Sequence, residues 1–285
     1  MNLKSLIAGL AITAIGCTYC AAAIPLKVMT YNIRYKNDHD KGDNNWEKRK
    51  GYVASMINLF SPDIIGLQEV LYPQLLFMEK ALACNLYGVG REDGKTEGEY
   101  SPVGIRNKSW TVVKKGYFWL SENPNKPGKG WDAACERIAT WNVLKNKISG
   151  KEIFFMNTHL DHEGKTARHN SALLLLKKIN ELAGKRPVIL CGDFNSIPDD
   201  DVIKTITDKN NPSHLRDCRI EAENGILSPG WSYQEFGRIP GKEVLIDYIF
   251  VRGNIDVKDY MVCDVKFHGN YPSDHCPVIV NLEIK

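Results

Sequence analysis

The stretch VILCGDFNSIPDD, residues 188–200, runs four apolar residues into Gly192 and then sets Asp193 and Asn195 on either side of Phe194. Residues two apart on an extended segment face the same way. A carboxylate and a carboxamide can therefore address one point, the acid orienting or deprotonating a water and the amide donating to a charged oxygen. The same juxtaposition recurs at Asn32 in VMTYNIRY, Glu69 closing PDIIGLQEV, His159 in IFFMNTHLDH, Asp247 within VLIDYIFV, and Asp274-His275 ahead of CPVIVNLEIK. Each polar group abuts a segment that must be buried, where desolvation is costly unless a partner or a metal compensates.

Plainer roles exist for most of them. Asn32 and Asp274 suit turns, Glu69 an exposed strand end, His159 a satisfied core histidine, and Asp193 with Asn195 a helix cap, although Asp199 and Asp200 suit that better. Asp247 resists such a role, because both neighbours are large and apolar and a buried carboxylate demands a donor. One account covers all of them. Asp247 holds the His275 imidazole by one ring nitrogen and favours its protonated form. Glu69, with Asn32 and Asp274, supplies oxygen ligands for a hard Mg²⁺ or Mn²⁺. Asp193 handles a water, Asn195 donates to phosphoryl oxygens, and His159 adds a donor where charge develops. That is the equipment for hydrolysing a phosphate ester by in-line attack.

The elements that must position these groups are legible as short apolar runs. Strands are expected over 27–34, 63–70, 102–106, 111–120, 138–145, 153–160, 187–191, 245–251, 257–262 and 277–284, and helices over 46–60, 73–83, 165–183 and 200–206. Residues 146–151 read as a hairpin, which a purely parallel sheet would not contain. Strands apolar nearly throughout need cover on both faces, while each helix offers one apolar stripe. Two mixed β-sheets packed together, with helices on both outer faces, meet both demands. No internal repeat or linker divides the chain, so one domain is expected over 24–285.

Composition bounds the rest. The chain has 285 residues and a formal net charge of +3, too weak a bias to imply a duplex-DNA binder. Residues 1–23 carry a cation at Lys4, an apolar run and then small residues, which is the pattern of a secretory signal peptide. Residues 14–17 also fit a lipoprotein signal over 1–16, with Cys17 as the lipidated residue. Either form implies an exported chain, periplasmic, secreted or lipid-anchored at the cell envelope, and a monomer is expected. Six cysteines remain beyond the leader; they could bridge, but Cys191, Cys263 and Cys276 lie beside apolar runs and read as buried thiols. The basic clusters 48–50 and 114–115 read as solvated faces.

In this order, TYNIR, PDIIGLQEV, NTHLDH, ILCGDFNSIP, IDYIFV and YPSDHCPV resemble the motifs of the endonuclease/exonuclease/phosphatase superfamily. Deoxyribonuclease I, abasic endonucleases, inositol polyphosphate 5-phosphatases, neutral sphingomyelinases and deadenylases belong to it. The resemblance spans about 26–283 and implies a four-layer α/β sandwich and divalent-metal phosphoester hydrolysis. It matches Asn32 and Glu69 to the metal side, His159 to a phosphate contact, Asp193 and Asn195 to the GDxN pair, Asp247 to the partner of the catalytic histidine, and Asp274-His275 to the closing SDH. Arg137 in ERIATW and Tyr100 in EYSPVGI fall near substrate-contacting positions of some members. The reading is a phosphodiesterase or phosphatase acting on small or lipid-derived phosphates, with a secreted endo- or exonuclease as the alternative. A catalytically inactive surface binding module is a further alternative. A zinc hydrolase built on HLDH lacks the additional histidines such a site needs.

Overall fold

The computed structural model describes residues 23–238 and 241–285; the leader expected over 1–23 lies outside them except for Ala23. In chain order the elements are β1 (Ile24–Asn32), α1 (Trp46–Phe60), β2 (Ile64–Gln68), α2 (Tyr72–Leu82), β3 (Leu86–Tyr87), β4 (Val103–Ile105), β5 (Trp110–Trp119), β6 (Ile138–Asn146), β7 (Glu152–His159), α3 (Lys165–Ala183), β8 (Val188–Asp193), α4 (Asp201–Thr207), β9 (Arg216–Asp217), α5 (Cys218–Glu221), β10 (Ile226–Leu227), β11 (Asp247–Arg252), β12 (Ile255–Val262) and β13 (Val278–Ile284). The helices expected over 46–60 and 165–183 form with those bounds. The α2 helix stops at Leu82 because Ala83 turns left-handed, φ +51°, and its N–H closes on Glu79 O. Helix α5 and strands β3, β9 and β10 are not among the expected elements, since two to four residues carry no readable period.

Two mixed sheets form. One has strand order β10-β12-β13-β1-β2-β4-β3 and the other β5-β6-β7-β8-β11-β9. The period of two along each strand builds the layers. In β1 Val28 points into the inter-sheet core and Met29 out toward α1 and α2; in β8 Ile189 and Cys191 point in and Val188 and Leu190 out toward α3 and α4. The outcome is the expected four-layer α/β sandwich. All six cysteines beyond the leader are unbridged. No helix among the described residues is long and apolar enough to cross a membrane.

Strand direction places the polar residues. β1 runs parallel to β2, and β7 parallel to β8, so Asn32, Gln68, His159 and Asp193 all end at one rim. β11 is antiparallel to β8 with Asp247 opposite Asp193, and β13 is antiparallel to β1, which brings Asp274-His275 to the same rim. Asp247 opens its strand and does not sit inside it, because the ladder with β8 begins at that pair.

Candidate active site

Backbone strain aims several of these groups. Arg34, Glu69 and Asn195 have φ of +58°, +58° and +46°, a region that non-glycine residues enter at a cost and that clusters at functional sites. Gly192 has φ +151°, and a Cβ there would meet Thr158 O at 2.1 Å, so glycine is required for β7 and β8 to run side by side into the site. The rim bounds a cleft of about 670 Å³, lined by Arg34, Glu69, His159, Asp193, Asn195, Asp274 and His275 at its catalytic end.

His275 Nδ1 lies 2.8 Å from Asp247 Oδ2 and its Nε2 lies 3.7 Å from Asp193 Oδ2. Burial alone would lower this imidazole, but Asp247, then Asp193 and Asp274, carry it up to about 10. It is therefore an imidazolium near neutrality. Asp193 is raised as well, which favours its neutral form: burial, then repulsion from Asp247, push its carboxyl up to about 7 against His275 and its two hydrogen bonds. Those bonds come from Asn195 N at 2.9 Å and Asn32 Nδ2 at 3.0 Å. A carboxylate that titrates near neutrality is suited to accept a proton, and an imidazolium is not.

Asn195 and His159 are arranged differently from the expectation. Asn195 Nδ2 donates to Leu160 O at 3.0 Å and stands 3.1 Å from His159 Nε2. The contact with Leu160 O fixes which amide atom is nitrogen, so His159 Nε2 must accept and its proton sits on Nδ1. Burial, then the charges of Arg137 and Arg91, hold His159 well below its ordinary value and neutral. Both amide hydrogens of Asn195 are thus engaged without substrate, and the donor of His159 is Nδ1, 3.9 Å from Glu99 Oε2.

On the proposed metal side, Asn32 Nδ2 also donates to Glu69 Oε1 at 2.9 Å, and Tyr35 N donates to Glu69 Oε2 at 3.1 Å. Burial would raise the Glu69 carboxyl, but Arg34 and these donors hold it below the usual carboxylate range. Asp274 is raised by burial and by repulsion from Glu69. Glu99, which lines the same cleft, is raised by burial and by Glu69 as well. A crowd of partly uncompensated oxygen acids fits a hard divalent cation. Asn32 contributes less to such a site than expected, because its carboxamide oxygen already accepts from Arg34 N at 3.0 Å. Asp193, Asp247 and His275 also offer atoms within 4.8 Å of one another.

Two substrate-side expectations diverge. Arg137 lines the cleft, with Nε 3.3 Å from Asp161 and Nη2 2.9 Å from His162 Nδ1. Tyr100 does not: its ring is buried, stacked on Tyr72 at 6.4 Å, and its hydroxyl donates to Lys95 O at 2.7 Å. Alternation gives the cleft wall to its neighbour Glu99, which pairs with Arg91 at 2.8 Å. In HLDH, Asp161 accepts from Ala134, Glu163 and Gly164 N–H groups and from Arg137. Cys135, Asp161 and His162 could nominally chelate, but the Arg137 guanidinium between the last two repels a metal ion.

Residues the motifs did not reveal hold the site together. Arg49 is 1% exposed, not on a solvated face. Its guanidinium donates to the carbonyls of Ile33, Pro272, Arg34 and Asn44, joining the end of β1 to the loop ahead of β13. Ser232 Oγ accepts from Ile246 N and Asp247 N, both at 3.0 Å, so its one hydrogen goes to Asp247 Oδ2 at 2.7 Å. Ser232→Ala is expected to lower kcat about ten-fold with KM little changed, and Ser232→Thr to restore it. Steady-state kinetics in which Ala matches wild type would show that the backbone alone orients Asp247.

Paired sheets, an acid-lined rim and an Asp-supported imidazolium define a metal-assisted phosphoesterase type of site. Residues 29–275 match the Endonuclease/Exonuclease/phosphatase family, and the chain belongs to that family. A solved endonuclease/exonuclease/phosphatase of Bacteroides vulgatus is 39% identical with a TM-score of 0.87, covering 92% of this chain and all of that one (100%). A mannosyl-6-phosphatase of Bacteroides thetaiotaomicron is 38% identical with a TM-score of 0.84, covering 90% of this chain and 99% of that one. Tyrosyl-DNA phosphodiesterase 2 of Bos taurus is 25% identical over 257 residues, 85% of this chain and 64% of that protein. The chain thus spans under two thirds of that relative's length.

Proposed function

We propose that this protein is a divalent-metal-dependent hydrolase of phosphate esters carried by small molecules, phosphorylated sugars among them. The observation that carries the reading is His275, gripped by Asp247 at 2.8 Å and facing Asp193 at 3.7 Å on the rim that also bears Glu69. Glu69 and Asp274, with the second lone pair of the Asn32 oxygen, would hold Mg²⁺ or Mn²⁺. When bound, the cation supplies Lewis-acid stabilisation of the phosphoryl oxygens. Asp193 takes the proton of the attacking water. His275, kept protonated by Asp247, faces the negative charge that builds on phosphorus-bound oxygens, where a pre-aligned donor is worth most.

The substrate class rests on the cleft and on the relatives. Its volume suits a sugar phosphate, Arg91, Arg137 and His162 offer donors on one wall, and the 38%-identical neighbour is a mannosyl-6-phosphatase. A nuclease reading draws on tyrosyl-DNA phosphodiesterase 2, but it would call for a basic groove, and here Glu69, Glu99, Asp200 and Asp274 line the cleft. A panel of hexose phosphates, nucleotides, inositol phosphates, sphingomyelin, RNA and plasmid DNA separates the two readings. EDTA is expected to abolish turnover, and Mg²⁺ or Mn²⁺ to restore it better than Zn²⁺. His275→Ala is expected to lower kcat by about three orders of magnitude. Full activity in EDTA would sink the metal; wild-type rates in His275→Ala would sink the site.

A further inference from the structure

Arg34 follows the strand that carries Asn32 and is held in its left-handed conformation by the fold. Its N–H is tied to Asn32, and its carbonyl accepts from Arg49 Nη2 at 2.7 Å and Gln74 Nε2 at 3.0 Å. Strain at φ +58° is tolerated because these bonds over-determine it. The conformation brings the guanidinium to the cleft, with Nη1 3.5 Å from Asp274 and Nε anchored 3.1 Å from Asp40 behind it. A quarter of the side chain, 25%, stays exposed.

The other arginines nearby pair with groups other than Glu69 and Asp274. Arg91 pairs with Glu99, Arg137 with Asp161, and Arg49 is spent on carbonyls. Glu69 and Asp274 repel each other and share Arg34 as a positive neighbour.

We infer that Arg34, its guanidinium 3.5 Å from Asp274 in the cleft that Glu69 also lines, is the resident countercharge of the acid cluster: it holds Asp274 in place before a divalent cation arrives, and it weakens that cation's binding. The inference rests on the metal reading above. An arginine cannot shed its charge, so a doubly charged ion entering beside it meets a repulsion that a neutral side chain would remove. The site is thereby preformed without being a tight trap, and metal affinity is set by the balance of two positive charges on the same acids.

The test is calorimetric titration of Mn²⁺ into chelator-stripped wild type, Arg34→Met, Arg34→Gln and Arg34→Lys, with thermal midpoints taken with and without the ion. The neutral variants are expected to bind Mn²⁺ at least about ten-fold more tightly, to melt lower than wild type without it, and to recover the difference when saturated. Arg34→Lys, which keeps the charge, is expected to stay within about three-fold of wild type. A merely structural role would weaken binding in every variant, so equal or weaker Mn²⁺ affinity in both neutral variants overturns the inference. A Lys variant that tightens as much as Met overturns it too. Failure of the wild type to bind Mn²⁺ at all overturns the metal reading together with this one; in every other case the two fail separately.

Discussion

Asp193→Ala is expected to lower turnover of a preferred phosphoester by at least about three orders of magnitude and to change how stability depends on pH. The first effect follows from position: Asp193 is the fully buried carboxylate facing His275 Nε2 and His159 Nε2, at 3.7 Å and 3.5 Å. The second follows from linkage. Its pKa is raised from 3.8 to about 7 in the folded chain. Between those values the folded state binds more protons than the unfolded state, so this carboxyl makes stability fall as pH rises from about 4 to about 7. In EDTA, the alanine variant should therefore gain on wild type across that window, by up to a few kcal/mol. Thermal or urea melts at pH 4, 5.5 and 7 read the gain directly. A constant difference between the two proteins would mean that Asp193 ionises as an ordinary carboxyl, and its assignment as proton acceptor would lose its support. An acid kept unhappy by its surroundings is expected where activity and stability pull apart.

The largest stability effect is expected away from the acids, at Arg49. Its guanidinium reaches four carbonyls and stacks on the Trp46 ring at 5.0 Å. Arg49→Leu would fill some of the space while leaving buried carbonyls without donors. The expected loss is about 3–5 kcal/mol, or a fall of about 10 °C in Tm for a chain of this size. Arg49→Lys should recover part of it, since an ammonium has three donors but no planar fork. Activity in the leucine variant should fall as well, because the clamp joins the strand end bearing Asn32 to the loop bearing Asp274 and His275. A Tm within 2–3 °C of wild type, roughly the effect of 1 kcal/mol, would show that water or backbone shifts satisfy those carbonyls.

The polar residues at strand ends were legible because burial makes them expensive. A carboxylate after VILCG or beside YIFV has no cheap explanation, and strand direction then carries each of them to one rim. What misled at single positions was the absence of a local signal. Tyr100 and Glu99 are adjacent, and only the bridge between Val70 and Tyr100 decides which faces the cleft. Lys48-Arg49-Lys50 reads as a charge run, yet one turn of α1 buries its middle member. Asn195 looked like a free donor until Leu160 O and His159 took its hydrogens.

Sequence alone determined the kind of chemistry and the layered architecture, because both follow from local periodicity and from which side chains tolerate burial. Tertiary structure decided which buried groups shift one another's protonation, the tautomer of His159 and the contacts of Arg34, Arg49 and Ser232. Those depend on electrostatic and hydrogen-bond partners tens or hundreds of residues away, and charge interactions decay with distance in space, which the order of residues along the chain does not record.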